Sequence, residues 1–207
     1  MIADLDAAAR AEGLTVLGAL HEGADTVVLL GPDEPAFWAI FTASQEYADG
    51  QPDPLDRWSK RVIGGLARAF EGRAVFPSDG PPYPPFIAWA LATGRCWSSP
   101  VNLLVHDRAG LFVSFRGALR LGGHIDIPKA PPRSPCSYCM GPCISACPAM
   151  ALTAGNYDVA ACKSHIETDA GADCYRGCKV RMACPVSQSY GRLPEQSEFH
   201  MKAFHPK

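Results

Sequence analysis

Cysteines dominate the chemistry that this sequence can support. Eight of the nine lie between residues 136 and 185, in two groups that each end in Cys-Pro. The first group reads Cys-x2-Cys-x3-Cys-x3-Cys-Pro, the second reads Cys-x3-Cys-x5-Cys-Pro, and one cysteine stands between them. Two cubane iron–sulfur clusters need eight thiolates, because each cluster takes four. The residues concerned are Cys136, Cys139, Cys143, Cys147, Cys162, Cys174, Cys178 and Cys184.

The spacing also predicts which cysteines share a cluster. Bacterial two-cluster ferredoxins use Cys-x2-Cys-x2-Cys-x3-Cys-Pro runs, and the fourth cysteine of each run binds the other cluster. We therefore predict one cluster on Cys136, Cys139, Cys143 and Cys184, and a second on Cys147, Cys162, Cys174 and Cys178. Here Gly141-Pro142 lengthens the second spacing by one residue, which requires a different loop.

Two other uses of clustered cysteines stay open as alternatives. Disulfides would require an oxidising compartment. Zinc sites usually combine two Cys-x2-Cys pairs, and only Cys136 and Cys139 have that spacing. A zinc-stabilised interaction protein without redox chemistry is thus the second alternative to an iron–sulfur protein.

Composition bounds the rest of the chain. With 207 residues, 47% of them hydrophobic, it can bury a core much larger than a bare cluster-binding domain needs. The formal charge of −2 gives no electrostatic reason to expect nucleic acid or membrane binding. The N-terminus has no basic and apolar signal-peptide regions, and no apolar run approaches the roughly 18–20 residues of a membrane span. We therefore expect a cytoplasmic protein, where thiols stay reduced.

Charge is distributed unevenly along the chain. Residues 129–207 carry nine Lys and Arg against six Asp and Glu, whereas residues 1–128 carry ten against fifteen. A cubane cluster with four thiolates carries a net charge of about −2. Four basic residues near the cysteines could partly offset it, namely Lys163, Arg176, Lys179 and Arg181. A solvated basic face would give the same excess.

The pattern before the cysteines predicts an α+β main domain over residues 1–127. We expect helices at 4–12, from Asp33-Glu34-Pro35 to Tyr47, from Asp53-Pro54 to Phe70, and at 86–93. We expect strands at Leu14–Leu20 and Thr26–Leu30, and a hairpin whose strands are Val101–Val105 and Leu111–Phe115. Gly64-Gly65 within the long helix indicates close packing against a neighbouring element.

Residues 128–207 are predicted to form the cluster-binding domain. A Pro-rich linker, 127–135, leads into it. Few large apolar residues lie between Cys136 and Cys184, so local order there should depend on the metal. Short helices are expected at Asp158–Ile166 and at Glu195–Phe204.

This order of features resembles epoxyqueuosine reductase and its relatives, the cobalamin-dependent reductive dehalogenases. The matching stretches are Ser99-Pro100-Val101-Asn102-Leu103-Leu104-Val105, then Gly110-Leu111-Phe112-Val113-Ser114-Phe115-Arg116-Gly117, the linker, and Cys136 to Pro185. Cys162 stands where that family places its isolated ligand cysteine. The family's acidic motif has no clear counterpart, Asp79 being the nearest candidate, and its C-terminal helical repeats have none up to Lys207.

The resemblance implies a nitroreductase-like α/β domain followed by a 2[4Fe-4S] ferredoxin-like module that ends in a C-terminal helix. We expect an electron-transfer protein that carries two [4Fe-4S] clusters and exchanges electrons with a redox partner protein. The first alternative is a reductase whose N-terminal domain holds a flavin or a corrinoid such as cobalamin. Trp38, Trp58, Trp89 and Trp97 could stack on such a cofactor, although filling the core is their usual role. The sequence predicts no catalytic residue and no oligomeric state.

Overall fold

The computed structural model describes residues 1–206, which divide into two compact units. Unit 1 comprises residues 1–95 and 114–131, and unit 2 comprises residues 96–113 and 132–206. The chain therefore passes between the units three times. The boundary expected after residue 127 lies a few residues before the last of these crossings. Residues 96–113, expected in the main domain, belong to unit 2.

The secondary structure is a mixture of helices and antiparallel strands, so the fold class is α+β. The helices are α1 Ile2–Ala11, α2 Ala36–Thr42, α3 Gln45–Ala48, α4 Pro54–Ala69, α5 Phe86–Ala92, α6 Val159–Ile166, α7 Ala172–Tyr175, α8 Lys179–Ala183, α9 Pro185–Gln188 and α10 Pro194–Phe204. The strands are β1 Leu14–Glu22, β2 Asp25–Pro32, β3 Arg73–Val75, β4 Cys96–Ser98, β5 Leu104–His106 and β6 Gly117–Gly122.

A four-stranded antiparallel sheet, in the order β1-β2-β6-β3, forms the centre of unit 1. The run Val27–Leu30 in β2 is wholly buried, as its continuous apolar sequence predicts. The interior strand β6 was not predicted. Its sequence, Gly-Ala-Leu-Arg-Leu-Gly, has glycine at both ends and no β-branched residue, so it lacks the usual strand signals.

Helix α4 buries the apolar stripe that its sequence predicts. Leu55, Trp58, Val62 and Leu66 are all buried, and α4 contacts α1, β3 and β6. Trp58 also packs edge-on against Phe37 and Phe41 of α2, with ring centroids 5.4 and 5.9 Å apart. Each such side chain contributes about 1.5–3 kcal/mol when fully buried, so this stripe fixes α4 on the sheet.

The predicted helix from Asp33 to Tyr47 is wrong in two respects. Asp33, expected as its N-cap, does not cap it: the helix begins at Ala36, and the Asp33 carboxylate accepts a hydrogen bond from Arg10 at 2.7 Å. The helix also ends at Thr42, and a second one, α3, begins when the Ser44 hydroxyl accepts from the backbone N–H of Tyr47. A local serine cap thus competes successfully with helix continuation.

Gly64 and Gly65 do not mediate close packing, contrary to expectation. A methyl group added at either position would meet only the guanidinium of Arg68, at 3.7 and 4.0 Å. The two glycines therefore lie in the interior of α4 without a packing reason, where each costs helix stability.

Unit 2 contains the two-stranded β4-β5 sheet and helices α6 to α10. The predicted hairpin is wrong, because β5 pairs with β4 and residues 111–115 form no strand. The predicted turn between Asp107 and Gly110 is nevertheless present, because His106 and Gly110 exchange two backbone hydrogen bonds of 3.0 Å. The buried His106 ring closes this turn, because its Nδ1 accepts from the backbone of Arg108 and Ala109.

A small hydrophobic core holds unit 2 together. Val101, Val105 and Leu111 pack against cysteine-segment residues that include Leu152 and Val180. The expectation that metal alone orders this segment therefore needs correction. Residues 96–113 supply apolar surface that the segment 136–184 lacks.

Candidate metal centre

Cys136 and Cys143 lie on two consecutive 3₁₀ turns of unit 2, Pro135–Tyr138 and Pro142–Ser145, and Cys139 directly follows the first turn. The hydroxyl of Ser134 caps the first turn by accepting from the backbone N–H of Cys136. Gly141 begins the second in a left-handed conformation, with φ of +70°. This glycine absorbs the extra residue in the spacing between Cys139 and Cys143, since other residues rarely adopt that conformation.

Cys184 joins these three from more than forty positions away along the chain. It lies at the C-terminal end of α8, and α8 contacts the turn that carries Cys143. Together Cys136, Cys139, Cys143 and Cys184 line one cavity, whose remaining walls include Val105 and Leu111. The structure thus brings together the four cysteines that the sequence assigns to one cluster.

The other four cysteines meet through helices α6, α7 and α8. Cys162 is on α6, Cys174 is on α7, and Cys178 immediately precedes α8. Asp158 caps α6 by accepting from the backbone N–H of Ala161 at 2.9 Å. Cys147, from the first sequence group, completes this set. It is close enough for its charge to raise the pKa of both Cys162 and Cys174.

Gly171 allows α6 and α7 to approach closely. A methyl group built on it would lie 1.9 Å from the carbonyl oxygen of His165, near the end of α6. No side chain fits in that space without moving the backbone, so glycine is required there. This close approach explains how Cys162, isolated in the sequence, reaches Cys174.

Electrostatics groups the thiols in the same way. Burial raises the pKa of Cys136 and Cys143, and so do their neighbours in the first set, above all Cys184. Burial likewise raises the pKa of Cys162 and Cys174, with Cys178 the strongest of the neighbouring thiols. Each shift opposes ionisation, so four thiolates in one set call for a positively charged centre between them.

Backbone N–H groups point at one sulfur in each set. Gly141 donates to Cys139 Sγ at 3.4 Å, and Ala151 donates to Cys147 Sγ at 3.2 Å. Such bonds stabilise negative charge on a metal-bound sulfur and tune the potential of a cluster. Together with the donor set of eight thiols, they fit two four-thiolate clusters.

The basic residues near the cysteines make structural contacts. Lys179 pairs with Asp173 at 3.1 Å, and its charge partly offsets the rise in the pKa of Cys174 that burial and the neighbouring thiols cause. Lys163 lies 5.2 Å from the ring centre of Phe204. The Arg181 guanidinium donates to the Leu111 carbonyl oxygen. Of these contacts, only that of Lys179 bears directly on a predicted ligand.

Sequence reasoning missed two side chains that support the cysteines. The buried Ser187 hydroxyl accepts from the backbone N–H of Leu111 at 2.8 Å, which ties the second Cys-Pro segment to residues 96–113. Tyr157 interacts with Cys162, and burial followed by the charge of that thiol raises the pKa of the tyrosine. Neither position follows a motif, so only the fold reveals these roles.

Other expected features have these outcomes. All nine cysteines are free thiols, and Cys96 is buried in β4 apart from both sets. Within residues 1–206, no three His, Cys, Asp or Glu side chains are close enough to bind a single metal ion. A cubane cluster holds its four cysteine sulfurs farther apart than a single zinc ion does, because its iron atoms lie between them. The Asp79 carboxylate caps a turn, accepting from the backbone N–H of Phe76 at 2.8 Å.

Comparisons with known proteins identified no relative of this chain. No family model, curated protein or solved structure matches the chain. No helix in the described part of the chain is both long and apolar enough to cross a membrane.

Proposed function

We propose that this protein transfers electrons through two [4Fe-4S] clusters. Cys136, Cys139, Cys143 and Cys184 would bind one cluster. Cys147, Cys162, Cys174 and Cys178 would bind the other. The observation that carries the proposal is the sorting of eight cysteines into two spatial sets of four, each of which takes one member from the other sequence group.

The clusters would supply one-electron chemistry, each gaining or losing a single electron in exchange with a redox partner protein in the cytoplasm. The chain itself binds the clusters and sets their environment. Burial of the thiols, partial for five of them and full for three, and the two N–H···S hydrogen bonds are its means of adjusting the reduction potentials.

At a finer level, we propose that unit 2 is a ferredoxin-like module and unit 1 a nitroreductase-like domain. The sequence resemblance to epoxyqueuosine reductase and the reductive dehalogenases supports this assignment. The mixed α+β architecture is compatible with it.

The test is metal and sulfide analysis of the full-length protein purified without oxygen. We expect about eight iron and eight sulfide per chain, and a charge-transfer absorption that dithionite bleaches. About two zinc per chain without sulfide would instead support the zinc-stabilised alternative. If neither iron nor zinc were present at a stoichiometric level, the iron–sulfur proposal and the zinc alternative would both be overturned.

The same sample separates a carrier from a reductase. Absorbance and mass spectrometry of the released small molecules would detect a flavin or corrinoid. We expect neither. A stoichiometric amount of either cofactor would overturn the role of simple carrier in favour of the reductase.

A further inference from the structure

Arg116 is a largely buried cation of unit 1 with a poor partner. Its side chain is only 18% exposed, yet its one ion-pair partner within residues 1–206 is Asp56, at 3.8 Å. That carboxylate is itself 57% exposed. No described residue accepts a hydrogen bond from the guanidinium, and its Nε is buried without a partner. Burial lowers the pKa of Arg116, and the charge of Asp56 offsets this only in part.

Other arginines of unit 1 show what a satisfied guanidinium looks like in this protein. Arg10, Arg57, Arg61 and Arg120 each donate hydrogen bonds to at least one carboxylate. All four are more exposed than Arg116, at 23–47% of the side chain. The most buried of the five thus has the poorest partner. A buried charge without a partner is costly, and buried charges in proteins are normally paired.

The Arg116 side chain lines a cavity of about 310 Å³ in unit 1. Asp56, Ser59 and Lys60 of α4 form one side. Phe76, Pro77 and Ser78, which follow β3, and Phe115 complete the lining. The Ser59 hydroxyl already donates to the Leu55 carbonyl oxygen at 2.7 Å, so it is not a free donor. Two cations and one carboxylate leave the lining with a net positive charge.

The apolar part of the lining is as informative as the charge. Phe76, Pro77 and Phe115 give it carbon-rich walls, and the Phe115 ring is held by Phe86, with centroids 6.3 Å apart. The volume is at the low end of the range for ligand pockets, about 300–1,000 Å³. It suits a ligand of about one ring and is much too small for a corrin.

From these observations we infer that unit 1 binds a small organic anion. Its phosphate or carboxylate group would accept from Arg116 and Lys60, and its ring would pack against Phe76 and Phe115. A guanidinium offers five donors in a planar fork that matches either anionic group. Asp56 opposes binding of the anion and favours specificity for a single negative group. This inference does not depend on the proposed clusters.

The experiment measures binding of simple probes to full-length protein by isothermal titration calorimetry. The probes are phenyl phosphate, benzoate, inorganic phosphate and, as the cationic control, benzylammonium. We expect at least one aromatic anion to bind in the micromolar to millimolar range, and benzylammonium not to bind. The preferred aromatic anion identifies the group recognised, and inorganic phosphate shows how much the ring contributes.

Substitutions then locate the site. Arg116→Gln should weaken binding roughly tenfold or more, because charge-assisted hydrogen bonds are lost, and Arg116→Lys should weaken it less. The exposed Lys60→Gln should weaken it a few-fold, and Asp56→Asn should strengthen it. Arg68→Gln is the matched control, because Arg68 lies on α4, as Lys60 does, but outside the cavity. It should leave the affinity for the anion unchanged.

The inference would be overturned if none of the anions bound at concentrations up to about 5 millimolar. A weaker affinity would not amount to specific recognition. Unchanged binding in the Arg116 and Lys60 variants would also overturn it. Should Arg116→Gln fail to fold, as circular dichroism would show, Lys60→Gln and Asp56→Asn still decide the matter. Their opposite expected effects cannot arise from a general loss of structure.

Discussion

The crossing of the two cysteine groups can be tested with paired substitutions. If Cys184 completes the set of Cys136, then Cys136→Ala and Cys184→Ala damage the same cluster. The double variant should lose about four of about eight irons, no more than either single variant. Cys136→Ala combined with Cys147→Ala should instead lose both clusters, because those residues lie in different spatial sets.

The opposite wiring predicts the reverse result. If each sequence group bound its own cluster, the variant lacking Cys136 and Cys147 would keep about four irons. The variant lacking Cys136 and Cys184 would then keep none. That pattern would refute the assignment derived from the structure, even if the protein still proved to contain eight irons.

Iron analysis and EPR spectroscopy of oxidised and reduced samples together provide the readout. EPR is needed because a cluster held by three thiolates can persist with fewer irons and a changed spectrum. Cys96→Ala is the matched control, since Cys96 is a buried thiol outside both sets, and it should keep about eight irons. Loss of clusters in this control would mean that general destabilisation, not ligand removal, explains the other variants.

Three further predictions concern stability and assembly. Gly65→Ala should stabilise unit 1 by about 0.5–1 kcal/mol in urea unfolding followed by tryptophan fluorescence, since the added methyl group has room. Hydrogen bonds from Arg61 lower the pKa of Glu46 from 4.5 to about 2. The Glu46 carboxylate thus stabilises the folded state above about pH 4.5, and this contribution is lost as pH falls towards 2. Glu46→Gln should therefore make unit 1 less stable at pH 6 but remove part of the decline between pH 6 and pH 3, as urea midpoints would show. Gly171→Ala should cost about four irons by separating α6 from α7 while sparing the cluster of Cys136.

Each of these predictions has a clear contrary outcome. A destabilising Gly65→Ala would mean that the glycine has a packing role that the structure does not show. An identical pH dependence in Glu46→Gln and the wild type would remove the ion pair from the explanation. Full iron content in Gly171→Ala would show that the helices can shift without losing Cys162.

The cysteine sets could be predicted from sequence because ligand count and spacing constrain a cluster strongly. Eight thiols in two Cys-Pro groups allow few arrangements. In ferredoxins the fourth cysteine of each run binds the other cluster, and the same rule applied here gives the two sets of cysteines that lie together in the structure. Helices with strong boundary signals were also predicted correctly, such as α4, which begins at Pro54, and α6, which begins after Asp158. These signals are local, so they do not depend on the tertiary fold.

Long-range determinants were the ones that escaped prediction. Strand β6 is defined by pairing with β2 and β3, not by its own glycine-bounded sequence. The turn at His106 is apparent from sequence, but the assignment of residues 96–113 to unit 2 depends on Leu111 packing near Val180. Arg116 is an ordinary residue until burial and the lack of a good partner distinguish it.

The threefold passage of the chain between the units has a practical consequence for modularity. A fragment excised after residue 127 would carry all eight clustered cysteines but would lack Val101, Val105 and Leu111, which are three of the five buried residues other than cysteine in that small core. A fragment ending at residue 95 would be deprived of β6, the neighbour of two strands. Transplanting the cysteine module into another protein would therefore require both segments, 96–113 and 132–206, joined by an artificial linker.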